Sequence, residues 1–378
     1  MRPAQTLICT VGTSLFSSNL ANLRPDDPNP ARRALAACYT EGDWIAVAEG
    51  LAAIPSTDRL CGAEINSLSS LFAHDAADPK ANLFFCHSAT TDGRAIAAIL
   101  RDYYRRAGHA VVEAKEIEGL QDVDPKLFRT KGLRNLAKVV CGIIRDRGAS
   151  SCAINATGGY KAQIAIAVLM GQALGVPVYY KHERFDEIIA FPPMPVALNF
   201  EVWMRASGML FALEREGGTG PASLLDDLAG DAEMLESLVE RVEIDGQAWI
   251  EMSPTGQIFH ETFRERFRSS RDPILPPAVP ASQKKPPHIH DGHVFREVRP
   301  FLESVTAQVP QVSRCATFYS NLDLAEPTRF RLGAHGIEGV FSNGKATVKF
   351  RVETLAQTEG QRAAVIAALN EWWNATRP

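Results

Sequence analysis

The sequence contains nothing close to the roughly 18–20 consecutive apolar residues that a membrane span needs. Its first strand-like run, Leu7-Ile8-Cys9-Thr10-Val11, starts too early to leave room for a signal peptide. These two absences place the chain in the cytoplasm, away from the membrane. Cysteine is sparse: seven residues, an odd number, with no Cys-x-x-Cys pair. That count argues against a disulfide framework or a zinc ribbon. Cys9, Cys86 and Cys152 lie inside apolar runs and read as buried, reduced thiols. An excess of positive charge is also missing. The net charge of −4 argues against broad coating of nucleic acid, although it leaves room for local asymmetry.

What remains is a globular composition, with 46% hydrophobic and 22% charged residues in 378. A chain of that length holds two or three domains. Up to about residue 205, strand and helix patterns alternate. Strands are expected at Thr6–Val11, Asn82–His87, Ala110–Ile117, Cys152–Asn155, Pro177–Lys181 and Glu187–Phe191. Helices are expected at Arg94–Ala107, Phe128–Arg147 and Lys161–Leu174. This alternation predicts an α/β fold, a doubly wound and mostly parallel sheet. Such sheets bind ligands beyond the carboxyl ends of their strands.

Residues 206–270 change character. Two short helices, Ala222–Leu228 and Ala232–Val239, precede a hairpin around Asp245-Gly246 and a helix at Thr255–Phe267, a pattern resembling a winged helix. Pro221–Ile250 holds eight acidic residues against Arg241 alone, a face that would repel DNA. A spacer, dimerisation or docking role is expected there. Residues 271–287 read as a proline-rich linker. Residues 288–378 read as a small α+β domain. A helix at His293–Val309 leads to strands Phe330–Leu332, Gly336–Phe341 and Ala346–Glu353, then a terminal helix at Gly360–Asn374.

Two loops carry the binding chemistry. Val11-Gly12-Thr13-Ser14 follows the first strand, and Asn155-Ala156-Thr157-Gly158-Gly159-Tyr160-Lys161 joins a strand to a helix. Glycine lets backbone approach a phosphate, helix N-terminal amides bind anions, and Thr13, Ser14, Thr157 and Lys161 add donors. Neither loop follows the P-loop or dinucleotide pattern. Phosphate binding and tight structural turns both fit the loops taken singly.

Taken together, the loops resemble those of the CARF family, the sensor domains of CRISPR-associated effectors. The matching residues are Thr10-Val11-Gly12-Thr13-Ser14-Leu15 and Asn155 to Lys161. Between them lie Ser88-Ala89-Thr90-Thr91-Asp92-Gly93, Gly119-Leu120 and Gly132-Leu133-Arg134-Asn135-Leu136. The resemblance covers about residues 5–195. It implies a Rossmann-like homodimer whose symmetric groove takes a cyclic oligoadenylate, tetra- or hexa-adenylate, as allosteric activator. Gly12, Thr13, Ser14, Ser88, Thr157, Gly158, Gly159, Tyr160 and Lys161 are the implied ligand contacts. Some members cleave their activator with a hydroxyl and a lysine at these loops. Binding without cleavage is the reading taken for Ser14 and Lys161.

The last segment turns basic, with twelve Lys and Arg against nine Asp and Glu from Ala281 to Pro378. Strand alternation puts Arg329 and Arg331 on one side, and Lys345, Lys349 and Arg351 together on the last strand. A solvated strand face is one reading. The other is a phosphate-binding face that cleaves RNA without metal, through attack by the ribose 2′-hydroxyl. There Lys345, Lys349 or His335 would serve as base or acid, and Arg329, Arg331 and Arg351 would hold the phosphate. This layout resembles the RelE-type mRNA interferases, which implies mRNA and the ribosome as partners. A HEPN-type ribonuclease, a DNA-binding regulator and a sensor that only recruits a partner are the alternatives. No cofactor or metal is expected. His288, His290 and His293 read as a helix entry with Asp291 as its cap.

Overall fold

A computed structural model describes residues 2–182, 187–194, 199–228, 236–290, 297–334 and 336–376. The chain forms two compact units, Met1–Ala197 and Leu198–Pro378.

The first unit is built on a six-stranded sheet. Its strands are β1 (Ala4–Thr10), β2 (Ala77–Ser88), β3 (Val112–Ile117), β4 (Cys152–Asn155), β5 (Val178–Tyr180) and β6 (Ile189–Phe191). Their order is β3-β2-β1-β4-β5-β6, parallel except for the last pair. All six strands appear where the sequence places them, β4 at its expected bounds and the other five with shifted ends. Consecutive residues Leu7, Ile8 and Cys9 are all buried. A strand covered on both faces has this continuous apolar run rather than an alternation. Leu7 and Cys9 join Leu83 and Phe85 in a core capped by α1 (Pro30–Glu41), α2 (Trp44–Ala52), α3 (Gly62–Ala73) and α4 (Thr91–Arg106). On the other face, α5 (Leu133–Arg147) packs against β1 and β3, and α6 (Lys161–Leu174) against β4 and β5. The helix expected from Phe128 is divided: Phe128–Gly132 is a wider π turn, and regular α geometry begins at Leu133. Gly132 lies against the Gly119 carbonyl there, and a Cβ on it would come within 2.6 Å.

The second unit opens with α7 (Phe200–Arg215). A three-stranded sheet follows, with β7 (Thr219–Pro221), β8 (Val239–Ile244) and β9 (Gln247–Met252) in the order β7-β9-β8. The β8–β9 turn is Asp245-Gly246, both residues at positive φ (51° and 75°), as the Asp-Gly pair predicts. Ala222–Leu228 is helical at its expected bounds, with 3-10 geometry, whereas Val239, expected at a helix end, starts β8. Residues 229–235 of that stretch lie outside the described residues. The helix after the hairpin, α8, runs Pro254–Ser270, capped by Ser253.

Beyond it, α9 (Val298–Gln308) precedes an antiparallel sheet of β10 (Val312–Asn321), β11 (Arg329–Gly333), β12 (Gly336–Ser342) and β13 (Thr347–Thr354). The order is β10-β13-β12-β11, and α10 (Glu359–Ala375) closes the chain. α10 is apolar on two faces. Ala363, Ala364 and Ala367 enter the core built with α7, α8 and β9, while Val365, Ile366, Leu369 and Trp373 enter the core of the four-stranded sheet. The segments 206–270 and 288–378 therefore share one unit, and Leu275, inside the expected linker, packs on both cores.

Candidate functional site

The strand order reverses between β1 and β4, and both glycine loops leave the carboxyl ends of those two strands. Open α/β sheets place ligands at that position. The loops touch closely. A Cβ on Gly12 would lie 2.6 Å from the Gly159 nitrogen, and one on Gly158 would overlap the Glu64 carboxylate. Thr10 Oγ1 donates to the Gly158 carbonyl, and Thr157 Oγ1 donates to Asn155 Oδ1 at 2.7 Å. The Gly12 amide donates to Glu64 Oε1 at 2.7 Å. That amide is thus committed to a side chain of α3.

Glu64 is 1% exposed, and Oε2 has no partner among the described residues. Burial raises its pKa above the ordinary carboxyl value, with the Gly12 hydrogen bond working against the rise. A carboxyl whose folded pKa is raised contributes most to stability below its unfolded pKa of about 4.5. That contribution falls as pH climbs from there through the folded value. Glu64→Gln removes the ionisation and is expected to raise the melting temperature relative to the parent at neutral pH. The two melting curves should converge once the pH drops below 4. Parallel melting temperatures from pH 4 to 8 would contradict this.

Beside the junction lies a cavity of about 400 Å³, within the roughly 300–1,000 Å³ of small-molecule sites. Ser14 and Thr157 line it, one from each loop. Arg32, Arg59, Lys181 and His182 line it together with Asp27 and Asp58, and Arg32 lies 3.9 Å from Asp58. Gly62 and Ala63, the first residues of the 12-residue α3, also line it. The residue before α3, Cys61, makes no side-chain cap bond; the Gly62 amide donates to the Arg59 carbonyl instead. Cations and hydroxyls suit phosphate groups. Asn19, Asn22 and Asn66 complete the wall.

The other expected contacts do not line this cavity. Thr13 and Lys161 are exposed, and Gly158 is buried beneath the junction. Gly159 carries a φ of 103° and abuts Gln163. The Tyr160 amide donates to Gln163 Oε1 at 2.6 Å as α6 begins. Ser88 Oγ sits 2.8 Å from Thr90 Oγ1, the N-cap of α4. The sequence reading missed Glu64, the three asparagines and the charged wall. Single polar residues on α3 and in the turns near 19 and 59 leave no local pattern.

In the second unit the register gathers the expected cations. Arg331 pairs across Glu338 to Arg351, and Arg329 across Val340 to Lys349, so all four share one face. Lys345 belongs to the β12–β13 turn and not to β13; it is exposed, and its amide donates to Asn343 Oδ1. The face is largely neutralised. Arg329 is 2% exposed, 3.1 Å from Glu326 Oε2, and donates to the Pro327 carbonyl. Lys349 lies 2.9 Å from Glu326 Oε1, and Arg331 3.5 Å from Glu338 Oε2. Burial pulls the Glu326 carboxyl up in pKa, but Lys349 and Arg329 outweigh it and hold the group below its ordinary value. Arg351 is exposed. His335, Asp291 and His293 lie outside the described residues. The His288 and His290 rings sit 4.6 Å apart, centroid to centroid. Among the described residues, no group of three His, Cys, Asp or Glu is placed to hold a metal ion, and no helix is long and apolar enough to cross a membrane.

A family model described as CRISPR-associated protein (Cas_APE2256) matches residues 59–194. That stretch runs from the turn before α3 to beyond β6 and includes the second glycine loop. No curated protein matches the chain. Among solved structures, Can2 from Sulfobacillus thermosulfidooxidans in complex with cyclic tetra-adenylate is similar at 11% identity and a TM-score of 0.25, over 72% of this chain and 68% of that one. Protein VC1899 from Vibrio cholerae is similar at 9% identity and a TM-score of 0.25, over 76% of this chain and 72% of that one.

Proposed function

We propose that this chain is a CRISPR-associated sensor that binds a cyclic oligoadenylate as a homodimer and responds by cleaving mRNA on the ribosome. The observation that carries the sensing half is the junction of Gly12 with Gly158 and Gly159 at the strand-order reversal, beside a cavity lined by cations and hydroxyls. The family match over residues 59–194 supports the CRISPR setting. A two-fold dimer suits a ring with rotational symmetry, each protomer holding one half. The ligand must favour one arrangement of the dimer over another, because equal binding to both would switch nothing.

The effector half rests on the cationic face of the four-stranded sheet. In that reading Arg351 and Lys345, both exposed, meet the RNA phosphate first. Arg331 and Lys349 join once the phosphate competes with Glu338 and Glu326 for them. A base then takes the proton of the ribose 2′-hydroxyl, the 2′-oxygen attacks phosphorus and the 5′-oxygen leaves. The acidic β8 segment weighs against a DNA-reading role.

The test is mRNA integrity in a translating bacterial extract, with purified protein and with or without cyclic tetra- or hexa-adenylate, beside naked RNA. Cleavage confined to the activated, translating sample is expected. Cleavage of naked RNA as well would replace the ribosome-dependent reading with a general ribonuclease. Ligand binding without any cleavage would remove the effector half.

A further inference from the structure

The chain that follows the proline-rich segment runs along β10, the strand at one edge of the four-stranded sheet. The His288 amide donates to the Cys315 carbonyl, and the Thr317 amide donates to the His288 carbonyl, each at 2.9 Å. His288 thereby pairs in parallel with Ala316. Ala316 in turn pairs with Arg351, Arg351 with Glu338, and Glu338 with Arg331. Side chains in register on neighbouring strands share a face. His288 therefore stands on the cationic face, at the end of the row that holds Arg331 and Arg351. The next residue agrees. Ile289 packs on the core of the sheet, and alternation then turns His288 and His290 to the opposite side. Both are exposed, with ring centroids 4.6 Å apart and ring planes at 82°. Arg314, in register with Glu353, shares the face as well. It is half-buried, and its Nε has no hydrogen-bond partner among the described residues.

Ala316 is partly exposed and carries only a methyl group. Neighbouring strands lie about 4.8 Å apart, so roughly 9.6 Å separates the backbones of His288 and Arg351 across it. A guanidinium offers only donors, and the Lys349 ammonium is held 2.9 Å from Glu326. A neutral imidazole has an acceptor nitrogen, which a proton-abstracting group needs. We infer that His288 takes the proton of the ribose 2′-hydroxyl, with the phosphate seated over Ala316 beside Arg314 and Arg351. The 2′-oxygen–phosphorus bond forms as the phosphorus–5′-oxygen bond breaks. The 5′-oxygen takes a proton from water, and the imidazolium returns its proton to the hydroxide left behind. The products are a 2′,3′-cyclic phosphate and a 5′-hydroxyl. This rests on the RNA-cleavage reading above and supplies its base.

The experiment is the cleavage assay in the activated, translating extract, run on the full chain. His288→Ala is measured with and without added imidazole, beside Arg314→Gln. His288 is exposed, so its alanine variant is expected to melt within about 2 °C of the parent. Its cleavage is expected to fall about 100-fold, and imidazole is expected to recover at least about tenfold. Arg314→Gln is expected to lose about 100-fold as well, with no gain from imidazole. Rescue separates catalysis from architecture, because free imidazole replaces a missing base but not a missing shape. Parental cleavage by His288→Ala, or a loss that imidazole does not restore, would overturn the assignment and leave the ribonuclease reading standing. Parental cleavage by Arg314→Gln would move the phosphate away from Ala316 and overturn it too. No cleavage by the parent would remove the ribonuclease reading itself, and the role of His288 with it.

Discussion

Gly12→Ala is expected to weaken cyclic oligoadenylate binding by at least about 100-fold while leaving the chain folded. The added methyl would sit 2.6 Å from the Gly159 nitrogen and 3.4 Å from its Cα. Both contacts are backbone, so no side chain can rotate away, and the loops after β1 and β4 must separate. Separation also pulls the Gly12 amide from Glu64, leaving a buried acceptor unpaired. Overpacking of this kind costs about 1–3 kcal/mol, small enough for the sheet to persist. Ser14 and Thr157, which line the cavity from the two loops, would no longer meet a ligand together, and binding suffers more than stability. Titration calorimetry checks the first effect and thermal unfolding the second. Unchanged affinity would show that the junction does not shape the site.

Arg329→Met is expected to destabilise the second unit by about 3–5 kcal/mol, the usual cost of removing one partner from a buried ion pair. Glu326 would keep Lys349 but lose its buried cation, and the Pro327 carbonyl would lose a donor. Lys345→Ala and Arg351→Ala, at exposed positions, should alter stability by no more than about 0.5 kcal/mol. Urea denaturation of the three variants gives the comparison, and the RNA assay run on the same samples divides the roles. Under the nuclease reading the two exposed substitutions lower cleavage in fully folded protein, whereas Arg329→Met lowers it by unfolding. A fully stable Arg329→Met variant that had lost cleavage would instead place Arg329 at the phosphate.

The parallel sheet was legible because its strands are short, buried and separated by amphipathic helices; β4 and α6 appear at their expected bounds. β10 was not, and the reason is visible in its register. Its pairing with β13 slips between Val312 and Arg314 and again between Thr317 and Tyr319. Each slip breaks the period-two pattern on which strand recognition depends. The acidic partners of the cationic face were also hidden. Alternation correctly put Arg329, Arg331, Lys349 and Arg351 on one side. It gave no sign that Glu326, from outside the strands, and Glu338, from β12, would occupy them. For α10, the large apolar residues announced one buried face, while the alanines of the second face read as ordinary helix filler. In the first unit the glycine loops stood out as local motifs. Glu64 and Asn66 acquire meaning only once α3 is docked against the sheet.

The central position of β1 has a consequence for synthesis. Thr10 bonds to the Asn155 and Gly158 carbonyls across 145 and 148 residues of chain. At about 5–20 residues per second, roughly 7–30 s pass between translation of the first loop and of the second. During that interval one edge of β1, with Leu7, Ile8 and Cys9, has no neighbour to pair with. Nascent chains of this protein should therefore depend on chaperone protection until β4 emerges, and the cavity beside the glycine-loop junction is among the last features of its unit to form.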